Sequence, residues 1–241
     1  FEGKSENPPL SRGESEGEAG ARGVSDGASD EAFDPDLILE ILDDIESNLK
    51  TIHKHGTRAD SIVKSMLQHS RGGDGTMEPT PLNPLIKEYV NLAFHGMRAG
   101  GNPIDVDIDL QLDESVGDVP LVAEDFSRVV LNIVNNGFDA MGEKALNKDL
   151  TGLDDYQPKL TVRTHRNEKN ITIEIEDNGP GIPDEMMDKI MQPFFTTKKG
   201  TQGTGLGLSI TNDIIKAHGG EIDIESVDGE RTRFIINIPK V

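Results

Sequence analysis

Three short segments of this 241-residue chain combine residue types and spacings suited to handling a phosphorylated ligand. Asn132-Ile133-Val134-Asn135-Asn136 puts three Asn, a poor helix former, into five residues of a helical stretch. Asn132 and Asn136 are four apart, so they share a helix face and offer amide oxygens to one hard cation such as Mg²⁺. Asp139 lies near the same face one turn on. Read alone, the same pattern also suits a polar solvent face. Asp177-Asn178-Gly179-Pro180-Gly181-Ile182-Pro183 comes straight after a strand. A carboxylate there can accept a hydrogen bond from an exocyclic amine, and the two Gly allow backbone to approach a ring closely; read alone, the segment is equally a turn. Gly203-Thr204-Gly205-Leu206-Gly207-Leu208 opens a helix, where free N–H groups and the positive dipole end suit phosphate. It lacks the preceding strand of a Rossmann unit, and no Gly-Lys-Ser/Thr makes it a Walker loop. Between the second and third segments, Pro193-Phe194-Phe195-Thr196-Thr197-Lys198-Lys199-Gly200-Thr201-Gln202 suits a mobile lid whose Lys198 or Lys199 can reach a phosphate.

These segments need elements to hold them. Residues 85–97 read as a helix, and Ile104, Val106, Ile108, Leu110 and Leu112 alternate with polar residues as a half-buried strand. A second helix is predicted from Val122 to about Lys144, strands at 160–166 and 171–176, and a helix from about Leu206 to Ala217. A hairpin at 221–226 and 232–238 closes around Asp228-Gly229. The mixture predicts an α+β two-layer sandwich over 85–241, with helices on one face of a mostly antiparallel sheet. Upstream, Ile38, Leu42, Ile45, Leu49, Ile52, Gly56, Ala59, Val63 and Met66 recur at alternating spacings of four and three, a heptad seam. Asp34 suits its cap and Pro35 its first turn, and Gly72-Gly73 its stop. Such a long amphipathic helix, spanning 34–71, needs partner helices, most simply by homodimerisation; packing on its own domain is the other reading. Residues 72–84 read as a linker and 1–33 as a disordered acidic Gly/Ser-rich segment.

Composition removes several classes. Without Cys there is no disulfide framework, Cys-based zinc site or Cys nucleophile. A formal charge of −20 opposes a nucleic-acid or anionic-membrane surface. No apolar run approaches the ~20 residues of a membrane span, and no signal peptide opens the chain, so a cytoplasmic location is expected. The first residue is Phe1 rather than Met, and the chain is expected to be a fragment.

Taken in order, Asn-x-x-x-Asn on a helix, Asp-x-Gly-x-Gly, Phe-Phe-Thr-Thr-Lys and Gly-x-Gly-Leu-Gly-Leu resemble the ATP-binding domain of sensor histidine kinases, in the superfamily shared with gyrase, Hsp90 and MutL. The resemblance covers about residues 82–241. His53-Lys54-His55-Gly56-Thr57-Arg58 through Ser70-Arg71 looks like the second helix of the kinase dimerisation hairpin. The resemblance implies a Bergerat-type fold, ATP and Mg²⁺ as cofactors, a response regulator receiver domain as partner, and a larger sensor protein whose upstream sensor module lies outside this chain. It implies that Asn136 holds Mg²⁺ and that Asn132 assists with metal and phosphates; an Asn where hydrolytic relatives keep a Glu base favours phosphotransfer over hydrolysis. Asp139 stands where many such kinases carry Lys. Asp177 would bind the adenine amine beside Gly179, Gly181 and Ile182. Phe195, Thr197 and Lys198 would belong to the lid, and Gly203, Thr204, Gly205, Leu206, Gly207 and Leu208 would wrap the triphosphate.

The family's phosphoacceptor, a His followed by an acidic residue and then Asn-Pro, has no counterpart. Ser5-Glu6-Asn7-Pro8 echoes it without a His, and His53, His55, His69, His95, His165 and His218 lack the context. Three readings follow: a kinase acting on a His of a hairpin helix, a degenerate dimeric nucleotide-binding module, and an ATPase-driven clamp.

Overall fold

The computed structural model of the protein describes residues 35–70, 75–146, 155–198 and 203–240. The acidic segment 1–33, the Gly72-Gly73 stop and the lid residues Lys199–Gln202 lie outside the described residues. Helix α1 (Pro35–Ser70) is a single helix of 36 residues that begins at the anticipated Pro. Its apolar stripe is open to solvent: Leu42 is 54%, Ile45 48%, Leu49 59% and Ile52 66% exposed.

The mixed domain begins with β1 (Glu78–Pro81), α2 (Leu82–Ala99), β2 (Asp107–Leu112), β3 (Asp118–Leu121) and α3 (Ala123–Leu146). It continues with β4 (Lys159–Arg166), β5 (Asn170–Asp177), the single-turn α4 (Asp184–Met187), α5 (Gly207–Ala217), β6 (Glu221–Val227) and β7 (Arg231–Pro239). Five strands form one sheet in the order β2-β4-β5-β7-β6. The β2–β4 pair is parallel and the other neighbours are antiparallel.

Strict alternation explains how the sheet is clothed. In β5, Ile171, Ile173 and Ile175 are buried while Thr172, Glu174 and Glu176 face the other way. Leu160 and Val162 of β4 and Phe234, Ile236 and Ile238 of β7 continue that buried layer. Leu82, Ile86 and Val90 of α2, Phe126, Val130, Ile133 and Val134 of α3, and Ile214 and Ile215 of α5 complete one core with it. The opposite face carries ion pairs, with Glu176 bonded by Arg231 at 2.8 Å and Arg233 at 2.7 Å. The architecture is thus the anticipated α+β sandwich.

The departures have local causes. The segment assigned to a linker up to Pro84 contains β1 and the first turn of α2. β1 pairs antiparallel with β3, a strand that the sequence reading also passed over. Pro79, Pro81 and Pro120 mask both strands, since Pro cannot donate to a ladder and is tolerated only in edges or short ribbons such as this. Pro84 sits in the first turn of α2, where a missing N–H costs nothing. β2 starts at Asp107 rather than Ile104, because Pro103 precedes the run and only the stretch from Asp107 finds a partner in β4.

Candidate functional site

Helix α3 is the spine on which the motifs meet. Residues 132, 136, 140 and 144 repeat at four-residue intervals and so form one stripe, about 18 Å long at 1.5 Å per residue. At its N-terminal end, Asn132 Nδ2 donates to the Gly207 carbonyl at 3.2 Å and lies 3.4 Å from Thr211 Oγ1, joining α3 to the start of α5. One turn on, Asn136 Oδ1 accepts from the Lys198 ammonium at 3.0 Å, and the same ammonium lies 2.5 Å from Asp139 Oδ2. Gly137 then faces the end of β5: a Cβ there would stand 3.3 Å from Asp177 Cβ. Ala140 faces Gly179, where an added Cβ would come within 3.1 Å of the Ala140 methyl and 2.6 Å of Asp177 Oδ1. Finally Lys144 Nζ donates to the carbonyls of Asn178, Gly179 and Gly229 at 2.9, 2.9 and 3.0 Å.

Asp177 owes its position to β5 periodicity. It is the next inward-facing residue after Ile171, Ile173 and Ile175, so a carboxyl group replaces a core side chain and is 5% exposed. Burial pushes its pKa up to about 7. The Gly179 N–H, which donates to Oδ1 at 2.9 Å, and the Lys144 ammonium pull the other way. Asp177 is therefore a buried acceptor whose charge changes near neutral pH.

The loops beside it leave no room for side chains at their glycines. At Gly181, with φ +73°, a Cβ would fall 2.2 Å from the Val227 carbonyl oxygen, so the loop lies directly on the β6–β7 turn. Ile182 N donates to Ser226 Oγ at 2.7 Å and Gly229 N to the Pro180 carbonyl at 2.6 Å, fastening the contact. At Gly205, with φ +70°, a Cβ would lie 2.4 Å from the Phe194 carbonyl carbon, and Phe194 N donates to the Gly205 carbonyl at 2.8 Å. Phe194 itself has φ +68°, a strained conformation for a bulky residue. Gly203 abuts Thr196 Oγ1, which a Cβ would approach to 2.6 Å. Helix α5 starts at Gly207 with no side-chain cap from Leu206, which leaves its first-turn N–H groups open to an anion.

The sequence-predicted residues thus fall into three groups. Asn132, Asn136, Asp139 and Lys198 converge at one end of the stripe. Asp177, Gly179, Gly181 and Ile182 gather at the other. Gly203, Thr204, Gly205 and Gly207 form the connecting strap, in which the Leu206 N–H donates to Thr204 Oγ1 at 3.4 Å. Two positions differ from a ligand-wrapping role for the side chain: Leu206 is 8% exposed and Leu208 packs against the core. Their side chains serve the fold, and only their backbone faces the strap. Phe195 is half-buried and Thr197 exposed. Sequence reasoning passed over Lys144, Tyr156, Thr211 and Ser226. No spacing rule flags them, because each joins the site through backbone or amide groups of distant segments.

Residues 122–241 match the family model described as histidine kinase-, DNA gyrase B-, and HSP90-like ATPase. The chain belongs to this family. It is 34% identical over 200 residues to sensor kinase CckA of Brucella abortus (strain 2308), covering 80% of this chain and 20% of that protein. It is 29% identical over 192 residues to the signal transduction histidine-protein kinase AtoS of Escherichia coli (strain K12), covering 79% of this chain and 28% of that one. The chain therefore spans between a fifth and a third of the length of these relatives. Among solved structures, the catalytic domain of histidine kinase ThkA superposes with a TM-score of 0.55 at 30% identity. That match covers 68% of this chain and 97% of the ThkA domain. The β1–β7 domain is thus a catalytic domain of the histidine kinase type. Among the described residues no helix is long and apolar enough to cross a membrane.

Proposed function

We propose that this chain binds Mg-ATP and transfers the γ-phosphoryl group to a His of a kinase hairpin helix, for relay to an Asp of a response regulator. The observation that carries the proposal is the single stripe on α3, which gathers all four motif segments. In this reading the base lies at the Asp177 end, and the Asp177 carboxyl accepts from its exocyclic amine while Gly179 and Gly181 admit the ring. The phosphates lie at the Asn132–Asn136 end, against the uncapped start of α5 and the Gly203–Gly207 strap.

The donor set at that end fits a hard cation: the Asn136 amide oxygen and the Asp139 carboxylate already flank a positive charge, the Lys198 ammonium. Asn136 would hold Mg²⁺, with Asn132 and Asp139 alongside; bound there, the ion neutralises phosphate charge. Lys198, released from Asp139, is placed to meet the transferring group. Asn132 has no basic atom to abstract a proton from water, and its amide N–H donates to Gly207 and Thr211. Phosphoryl transfer is met chiefly by positioning and charge neutralisation, which this arrangement supplies.

Homodimerisation through α1 is part of the proposal, supported by its solvent-open heptad stripe, as is a cytoplasmic location. The test is calorimetric titration with a non-hydrolysable ATP analogue, with and without Mg²⁺, on wild type and Asn136→Ala. A subsequent transfer assay uses ATP and a separate protein carrying the hairpin helix with its acceptor His. Mg-dependent binding weakened about ten-fold or more in the variant, and phosphate on the acceptor His, are expected. Binding without transfer would turn the assignment to a dimeric nucleotide-binding module, the reading favoured by the lack of an acceptor motif in this sequence. Steady ATP turnover without any acceptor would instead indicate the clamp.

A further inference from the structure

Lys144 stands outside the four motifs, yet among the described residues its ammonium is the most heavily engaged cation of the site. Three carbonyls, those of Asn178, Gly179 and Gly229, lie at 2.9, 2.9 and 3.0 Å, which uses all three N–H donors of an ammonium. The Glu230 carbonyl lies at 3.5 Å, and the ammonium stands 4.7 Å from the centre of the Tyr156 ring. A lysine in the last turn of a helix ordinarily turns to the carbonyls of its own helix or to water. Here the acceptors belong to the β5–α4 loop and the β6–β7 turn, between 34 and 86 residues away in sequence. Tyr156 reinforces the same loop, donating its hydroxyl to Asn178 Oδ1 at 3.1 Å, while Asn178 Nδ2 donates to the Gln157 carbonyl at 2.7 Å.

We propose that Lys144 is a positioning residue for the base end of the nucleotide site: it pins the Asp177–Gly181 loop to both α3 and the β6–β7 turn and holds the Asp177 carboxylate aimed at the base's exocyclic amine. The inference rests on the nucleotide reading above. Two observations support it. The loop carrying Asp177 bends back on itself through the Gly179 N–H bond to Asp177 Oδ1, so fixing the Asn178 carbonyl, which shares a peptide plane with that N–H, fixes the carboxylate's own donor. Lys144 and Tyr156 face Asp177 and Glu176 acts on it from the opposite face of β5; Lys144 is the positive one among them, favouring the ionised acceptor where burial and Glu176 oppose it.

The experiment compares two ligands on wild type, Lys144→Met and Lys144→Arg between pH 6 and 9. One ligand is a non-hydrolysable ATP analogue; the other is the corresponding purine riboside nucleotide, which lacks the exocyclic amine. Lys144→Met is expected to weaken the ATP analogue about ten-fold at pH 7 and the amine-free nucleotide about two-fold or less. It is also expected to move the pH at which ATP-analogue affinity reaches half its maximum upward, whereas Lys144→Arg, which keeps the charge, holds the wild-type midpoint. If circular dichroism shows that Lys144→Met does not fold, Lys144→Gln is read by the same two ratios. Equal losses for both ligands with an unmoved midpoint would overturn the inference and leave Lys144 as a support of the fold. Failure of the wild type to bind either nucleotide would overturn the nucleotide reading itself, and this inference with it.

Discussion

Asp177→Asn separates the stability of the domain from its binding. In the nucleotide-free protein, burial raises the Asp177 pKa from 3.8 to about 7. The folded state then holds a proton that the unfolded chain gives up above its lower pKa. Stability from this group is thus fully present below about pH 4, falls as pH rises, and is lost above about pH 7. The whole swing amounts to about 4 kcal/mol at 1.36 kcal/mol per pH unit, and more than half of it falls between pH 5 and 8.5. Asn does not titrate, yet it keeps an acceptor for the Gly179 N–H. Urea denaturation of both proteins at pH 5 and pH 8.5 reads the difference. The variant is expected to gain about 2–3 kcal/mol relative to wild type between the two pH values, about 1 M in the urea midpoint. For the ligand the same change is harmful. With Asn Oδ1 on the Gly179 N–H, the Nδ2 amide meets the base's amine donor to donor; flipped, it meets the Gly179 N–H instead. One unmatched donor pair costs about 1–3 kcal/mol, a ten- to hundred-fold loss of ATP-analogue affinity. A variant whose stability relative to wild type is the same at both pH values would refute the assignment of a buried, proton-holding Asp177.

Three further outcomes follow from other parts of the molecule. Gly205→Ala forces a Cβ into the Phe194 carbonyl carbon from a left-handed conformation, and should cost at least about 2 kcal/mol or open the strap, seen as lower thermal stability together with lost ATP-analogue binding. Asp139→Asn removes a carboxylate from beside the proposed Mg²⁺ position, together with the charged partner of Lys198, and is expected to raise the Mg²⁺ concentration needed for half-maximal ATP-analogue binding; an unchanged Mg²⁺ requirement would count against Asp139 in that donor set. Leu49→Asp together with Ile52→Asp on the open stripe of α1 should convert a dimer to a monomer in sedimentation velocity, and should leave Mg-dependent nucleotide affinity within about two-fold.

How much of this could be read from the sequence depended on whether a residue acts within its own element. β5 was legible because Ile171, Ile173 and Ile175 alternate, and α1 because its heptad runs unbroken from Ile38. The Asn pair was legible because its spacing alone places both residues on one helix face. β1 and β3 were not, because each draws its partner from about 40 residues away and carries Pro where a strand pattern would be sought. Burial of Asp177 follows from continuing the β5 alternation by one step, so it was open to inference although its motif suggested a loop. Leu206 and Leu208 show the limit of motif reading: within one Gly-rich segment the backbone bends around a strap while the two Leu side chains turn into the domain.

Lys144 marks the far side of that limit, and its case extends to the rest of the α3 stripe. A helix offers a ruler, and residues 132, 136, 140 and 144 are graduations on it, but what each position does is decided by the segment that tertiary packing lays against it. Asn132 meets the start of α5, Asn136 the lid, Ala140 the Gly179 turn, and Lys144 that turn and a hairpin from the far end of the chain. The sequence reading carried the stripe as far as Asp139 and stopped, because beyond it no residue type is unusual for a helix. Ala140 is small because Gly179 approaches it, and Lys144 is basic because three carbonyls of two other segments end there. In the proposed reading the stripe is therefore one functional element with a phosphate end and a base end. Substitutions along it should change affinity for the part of the nucleotide nearest the altered position: Asn136→Ala should weaken ATP more than adenosine, whereas Lys144→Met should weaken both by the same factor. Equal effects of Asn136→Ala on ATP and adenosine would show that the stripe has no such polarity.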